Sequence, residues 1–136
     1  MHFEFLVEDL SGKKALEILV PIFFDTSAHI FRTIPYRGVG RISRNLRPVN
    51  DPNKRILLDQ IPRLLRGYGQ THAGFDDDYQ ATVIVVCDLD DKCLKTFLGE
   101  LQAVLYTCDP RPKTRFCIAI EEGEAWFLGD IPTIKI

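Results

Sequence analysis

With 136 residues, 46% of them hydrophobic and 26% charged, the chain has ordinary globular composition, and the expectation is a single domain over residues 1–136. Disorder, fibrous repeats and a membrane protein are excluded on composition, because no apolar run approaches the roughly 18 residues of a membrane span. The opening Met1-His2-Phe3-Glu4 has neither the basic region nor the cleavage site of a signal peptide, so the expected location is the cytoplasm, away from membranes. Net charge is only −2, yet nine of the 17 basic residues lie between Arg32 and Arg66 against two acids, Asp51 and Asp59. That segment is +7 and the remainder −9, a segregation that fits either a phosphate-binding surface or a solvated face.

In chain order, Phe3-Glu4-Phe5-Leu6-Val7 reads as a strand that stops at Glu8-Asp9. Ser11 can cap a helix beginning near Lys13, with Leu16, Leu19, Val20 and Phe23 at helical spacing and Pro21 marking a kink or early end. Residues 29–36 read as a second strand leading into Arg37-Gly38-Val39-Gly40-Arg41, a glycine-marked turn. A second helix is expected from Lys54 to about Arg66, and the polar, glycine-rich residues 67–78, ending in Asp76-Asp77-Asp78, read as an exposed linker.

Ala81-Thr82-Val83-Ile84-Val85-Val86-Cys87 is almost continuously apolar, as in a strand covered on both faces, and ends at Asp88-Leu89-Asp90-Asp91. A helix follows from Lys92, carrying Leu94, Phe97, Leu98, Leu101, Val104 and Leu105 on its apolar side. Arg115 to Ile120 is a fourth strand, followed by Glu121-Glu122-Gly123-Glu124. The order β-α-β-α-β-α-β predicts an α/β fold with a central, mostly parallel four-stranded sheet flanked by helices.

Cys87, Cys93, Cys108 and Cys117 fit no zinc or thioredoxin spacing; Cys87 and Cys117 fall in apolar runs and read as core residues. His2, His29 and His72 form no ligand-spaced pair and read as incidental. Trp126 reads as a packing residue.

The acids after strands carry the chemical signal. In open α/β sheets the ligand crevice lies outside the carboxyl ends of the strands, where Glu8, Asp88, Asp90 and Glu124 can converge. Clustered carboxylates repel one another unless a cation or protons compensate, and Mg²⁺ held by one or two carboxylates and waters does so while binding phosphate. Asp9 and Asp91 can instead cap the helices that follow them.

Glu8 after the first strand, Asp88-Leu89-Asp90 after the third and the phrase Glu124-Ala-Trp-Phe-Leu-Gly-Asp130 resemble the TOPRIM-like domain-of-unknown-function family 4276, related to the nuclease domains of phage-defence proteins. The resemblance covers nearly the whole chain. It implies a TOPRIM-like fold and Mg²⁺ (or Mn²⁺) chemistry on nucleic-acid phosphodiesters, in DNA or RNA. Glu8 would be the general acid/base or a metal-linked carboxylate, Asp88 and Asp90 would hold the metal, and Glu124 and Asp130 would complete the site. Arg37 and Arg41 would contact phosphate, while Val39 stands where the resemblance leads one to expect lysine.

Two other readings stay open. One is a TOPRIM-like binding or regulatory module without turnover, acting with a partner ATPase. The other is a phosphatase using Asp-x-Asp as nucleophile and acid, a pair that usually follows the first strand of its domain rather than the third.

Overall fold

The structure, a computed structural model, describes residues 1–25 and 27–119. Among these residues four strands, β1 (His2–Val7), β2 (Ile30–Pro35), β3 (Ala81–Asp88) and β4 (Thr114–Ala119), form one sheet in the order β2-β1-β3-β4. Every pairing is parallel. Three helices, α1 (Leu10–Phe23), α2 (Leu57–Ala73) and α3 (Leu94–Tyr106), flank it, and a short 3₁₀ turn (Pro52–Lys54) interrupts the loop before α2. The result is the expected α/β class, in a Rossmann-like arrangement.

Strand alternation explains the layers. Leu6 of β1 and Val83, Val85 and Cys87 of β3 share one face, where they meet Leu57, Leu58, Ile61 and Leu65 of α2 and Phe97, Leu101 and Val104 of α3. These side chains form the core, most of them fully buried. On the other face Phe3 stacks on Phe31 of β2 at 5.3 Å between ring centroids, and Phe24, just past α1, closes on both. Val20 is the buried side chain of α1, whereas Ile18, Ile22 and Phe23 are exposed.

Several boundaries differ from the sequence-based expectation, each for a local reason. α1 starts at Leu10, because Asp9 rather than Ser11 is its N-cap: the Asp9 carboxylate accepts from the Gly12 N–H at 2.7 Å. Pro21 does not end the helix at once; the Phe24 N–H still closes onto the Val20 carbonyl at 3.0 Å. α2 begins three residues later than Lys54 and runs on to Ala73, through glycines expected to be linker. A Cβ on Gly69 would lie 2.0 Å from the Pro110 carbonyl oxygen, so glycine here serves a close helix-to-loop approach rather than a turn.

Cys117, expected in the core, is exposed, while Cys108 is buried. Among the described residues β4 is an edge strand; it packs Phe116 and Ile118 against the core and turns Arg115 and Cys117 the other way. Cys87 is buried as expected, and the Asp76-Asp77-Asp78 run is exposed. No helix among the described residues is long and apolar enough to cross a membrane.

Candidate functional site

The strand order fixes where a site can form. From β1 the chain leaves to β2 on one side, and from β3 to β4 on the other, so neighbouring β1 and β3 flank a topological switch point. At such points the connections diverge and open a crevice beyond the carboxyl ends of the strands. Glu8 directly follows β1, and Asp88 is the last residue of β3.

These two acids meet across the crevice. The Asp88 backbone N–H donates to Glu8 Oε2 at 3.3 Å. Burial first, then the Asp88 side chain close beside it and the negative charges of Asp88 and Asp9, push the Glu8 carboxyl up from 4.5 to about 7. Near neutral pH the Glu8 carboxyl therefore still holds its proton part of the time. Cys87 lies buried directly before Asp88, and desolvation together with the Glu8 charge pushes its thiol up to about 12, leaving it an inert packing group.

Asp90 takes a different course. Leu89 is buried between the two aspartates, its N–H donating to the Ala119 carbonyl at 2.7 Å, and Asp90 follows in the left-handed region at φ 55°. Its exposed carboxylate lies 3.9 Å from Lys92 Nζ. Among the described residues no three His, Cys, Asp or Glu side chains gather closely enough to hold a metal ion between them. The structure thus brings Glu8 and Asp88 together and leaves Asp90 beside Lys92. Glu124 and Asp130, with Trp126, lie outside the described residues.

The loop after β2 forms a second wall. The Tyr36 N–H donates to the Val7 carbonyl at 2.8 Å and the Gly38 N–H to the Glu8 carbonyl at 2.9 Å, so the Arg37-Gly38 backbone runs beside Glu8. The loop then caps α2, whose Leu57 and Leu58 N–H groups donate to the Gly38 and Val39 carbonyls at 3.0 and 2.8 Å. Gly40 has a positive φ of 66° and passes so close to Ile56 that a Cβ would lie 2.1 Å from its Cγ2. Arg37 and Arg41 are both exposed on this loop.

Arg41 also lines a cavity of about 310 Å³ with Ile42, Leu58, Asp91, Lys92, Phe97 and Glu100. Lys92 lies over the Phe97 ring at 5.4 Å, a contact that steadies its ammonium along this lining. Asp91 lines this cavity and does not cap α3, whose N-cap is Cys93.

Asp59 escaped the sequence reading. Almost wholly buried in the first turn of α2, it accepts from the Val49 and Asn50 N–H groups at 2.8 and 3.2 Å and from the Gln60 amide at 3.0 Å. It thereby pins the far end of the arginine-bearing loop. The available signal was an acid at the start of an apolar-periodic helix inside an otherwise basic segment. Lys92 was also missed, although it directly follows the Asp-x-Asp-Asp run.

Comparison with protein-family models, with curated proteins and with solved structures finds no match. The chemical reading therefore rests on the site itself. Two carboxylates at the end of adjacent parallel strands offer hard oxygen ligands, and one of them carries a proton that a cation can displace. That donor set fits Mg²⁺, which takes one or two carboxylates and keeps several waters.

Proposed function

We propose that the chain is a TOPRIM-type, Mg²⁺-dependent nuclease domain acting on nucleic-acid phosphodiesters. The observation that carries this reading is the Glu8-Asp88 pair at the switch point, with the Arg41 and Lys92 cavity and the Arg37 loop around the same end of the sheet. Glu8 and Asp88 would hold the metal, Mg²⁺ first and Mn²⁺ as a substitute, with Asp90, Glu124 and Asp130 as further carboxylates toward it. When bound, the cation supplies charge stabilisation to the scissile phosphate.

The chain's own residues supply the rest. Arg37 and Arg41 bind the sugar-phosphate backbone and orient it without reading bases, so cleavage has little sequence preference in DNA or RNA. If the cation is held without Glu8, the raised Glu8 carboxyl would instead give or take a proton at the reacting oxygen. A role beside a partner ATPase in phage defence, in the cytoplasm, goes with the same reading.

A second reading is a TOPRIM-like module that binds nucleic acid or a partner ATPase without turnover. Val39 favours it, because this side chain packs against the core instead of offering a cation to the crevice. The two readings separate in one assay. Single- and double-stranded DNA and RNA are incubated with Mg²⁺ or Mn²⁺ and the wild type, Asp88→Ala or Asp90→Ala. Metal-stimulated cleavage that falls at least about 100-fold in Asp88→Ala supports the nuclease. Binding without cleavage over the whole panel supports the module.

A further inference from the structure

The opposite end of the sheet carries a second constellation. Parallel pairing sets His2 opposite Ala81, and the His2 N–H donates to the Gln80 carbonyl at 2.8 Å, so residues 77 positions apart become neighbours. His2 Nδ1 meets the Tyr79 hydroxyl at 2.5 Å, and His2 Nε2 lies 2.8 Å from Glu4 Oε1. As a carboxylate Glu4 only accepts, so Nε2 carries the imidazole proton and Nδ1 is left to accept from the Tyr79 O–H. Tyrosine, histidine and glutamate then stand in the order nucleophile, base and orienting group.

The surroundings place Glu4 to hold the His2 ring. Glu4 is 4% exposed, and its Oε2 has no hydrogen-bond partner among the described residues. A buried, under-satisfied carboxylate stabilises a cation forming beside it. The other groups facing this cluster are Arg32 on β2, 3.8 Å from Glu4 Oε1, and Tyr68 and His72 on α2. Burial pulls the His72 imidazole down.

We propose that Tyr79 is a nucleophilic phenol that accepts an acyl group from a small neutral ester, with His2 as its base and Glu4 positioning His2. In the step, Tyr79 Oη bonds to the acyl carbon as its proton passes to His2 Nδ1. The bond from that carbon to the leaving oxygen breaks, and the leaving alcohol takes the proton. Water then attacks the phenyl ester, gives a proton to His2, and the phenol leaves and regains one. Ester and water become acid and alcohol, with no redox partner. The donor is neutral because Asp76, Asp77 and Asp78 directly precede Tyr79 and repel a phosphoryl anion.

Tyr106 is an internal control, since it is 65% exposed against 40% for Tyr79 and would react first if exposure alone ruled. Burial pushes the Tyr36 and Tyr68 phenols up and keeps them unreactive. The test is acetylation by p-nitrophenyl acetate, followed residue by residue with peptide mass mapping. Tyr79 is expected to be acetylated about tenfold or more faster than Tyr106, to fall to the Tyr106 rate in His2→Asn and to fall by an intermediate factor in Glu4→Gln. The wild-type pH–rate profile of Tyr79 should contain a limb that rises as an imidazole loses its proton, a readout that a purely structural role of His2 or Glu4 would not produce. If His2→Asn fails to fold, that limb and the wild-type rate ratio decide. A Tyr79 rate at or below that of Tyr106, a profile without the limb, or an unchanged rate in folded His2→Asn would overturn the proposal.

Discussion

Glu4 and Glu8 stand four residues apart around one strand, yet the sheet gives them opposite neighbours. At the amino end Glu4 is buried against His2 and Arg32, groups that can carry positive charge. At the carboxyl end Glu8 is half-buried against Asp88, a group that cannot. The same side chain therefore orients a base at one end and holds a proton ready for exchange at the other. Neighbours delivered by β1-β3 pairing, more than residue type, decide which chemistry a carboxylate serves.

The largest structural effect is expected at the carboxyl end. Asp59→Ala strips the buried Gln60 amide and the Val49 and Asn50 N–H groups of their acceptor and should cost about 3 kcal/mol, read as a shift in the denaturant midpoint, while freeing the loop that carries Arg37 and Arg41. A loss below about 0.5 kcal/mol would mean that the loop is held by other contacts. At the other end of α2, Gly69→Ala forces a methyl group against the Pro110 carbonyl and should destabilise by about 2 kcal/mol. Gly67→Ala, with open space around its Cβ position, should instead stabilise by up to about 1 kcal/mol, so the two glycines of one helix should move thermal stability in opposite directions.

A smaller effect follows from the raised Glu8 carboxyl. The Glu8 carboxyl is raised from 4.5 to about 7, so the folded state holds its proton more tightly than the unfolded chain does. Its stabilising contribution is complete below about pH 4.5 and lost as pH rises through about 7. Because Glu8 is only half-buried, screening by solvent brings this to about 1 kcal/mol. Glu8→Gln should remove that slope from stability measured between pH 4.5 and 7, whereas Glu4→Gln should leave it in place.

Much of the fold was legible because the strands are apolar runs that end at acids or turn residues, and the helix after Asp91 keeps a regular apolar spacing. Less was legible wherever a distant partner sets the local choice. Residues 67–73 looked like linker because glycine marks turns, and only the Pro110 carbonyl explains Gly69 inside a helix. Cys117 looked like core because an apolar run does not tell which face of a strand the helices cover, and here they cover the face of Phe116 and Ile118. In the site, Glu8 and Asp88 were legible from their positions after strands, but their contact depends on β1 lying beside β3. Asp90 shares the motif yet is turned toward Lys92 by its left-handed backbone and the burial of Leu89. His2 looked incidental because Glu4 and Tyr79 become its partners only through strand register.

The most direct test of the Glu8-Asp88 pair as a metal site is calorimetric titration of Mg²⁺ at pH 6.5 into the wild type and Asp88→Asn, repeated in two buffers of different ionisation enthalpy to count protons. The expected result is saturable binding by the wild type with release of a substantial fraction of one proton, and loss of both binding and release in Asp88→Asn. Binding that releases no proton, or binding that is unchanged in the variant, would contradict it.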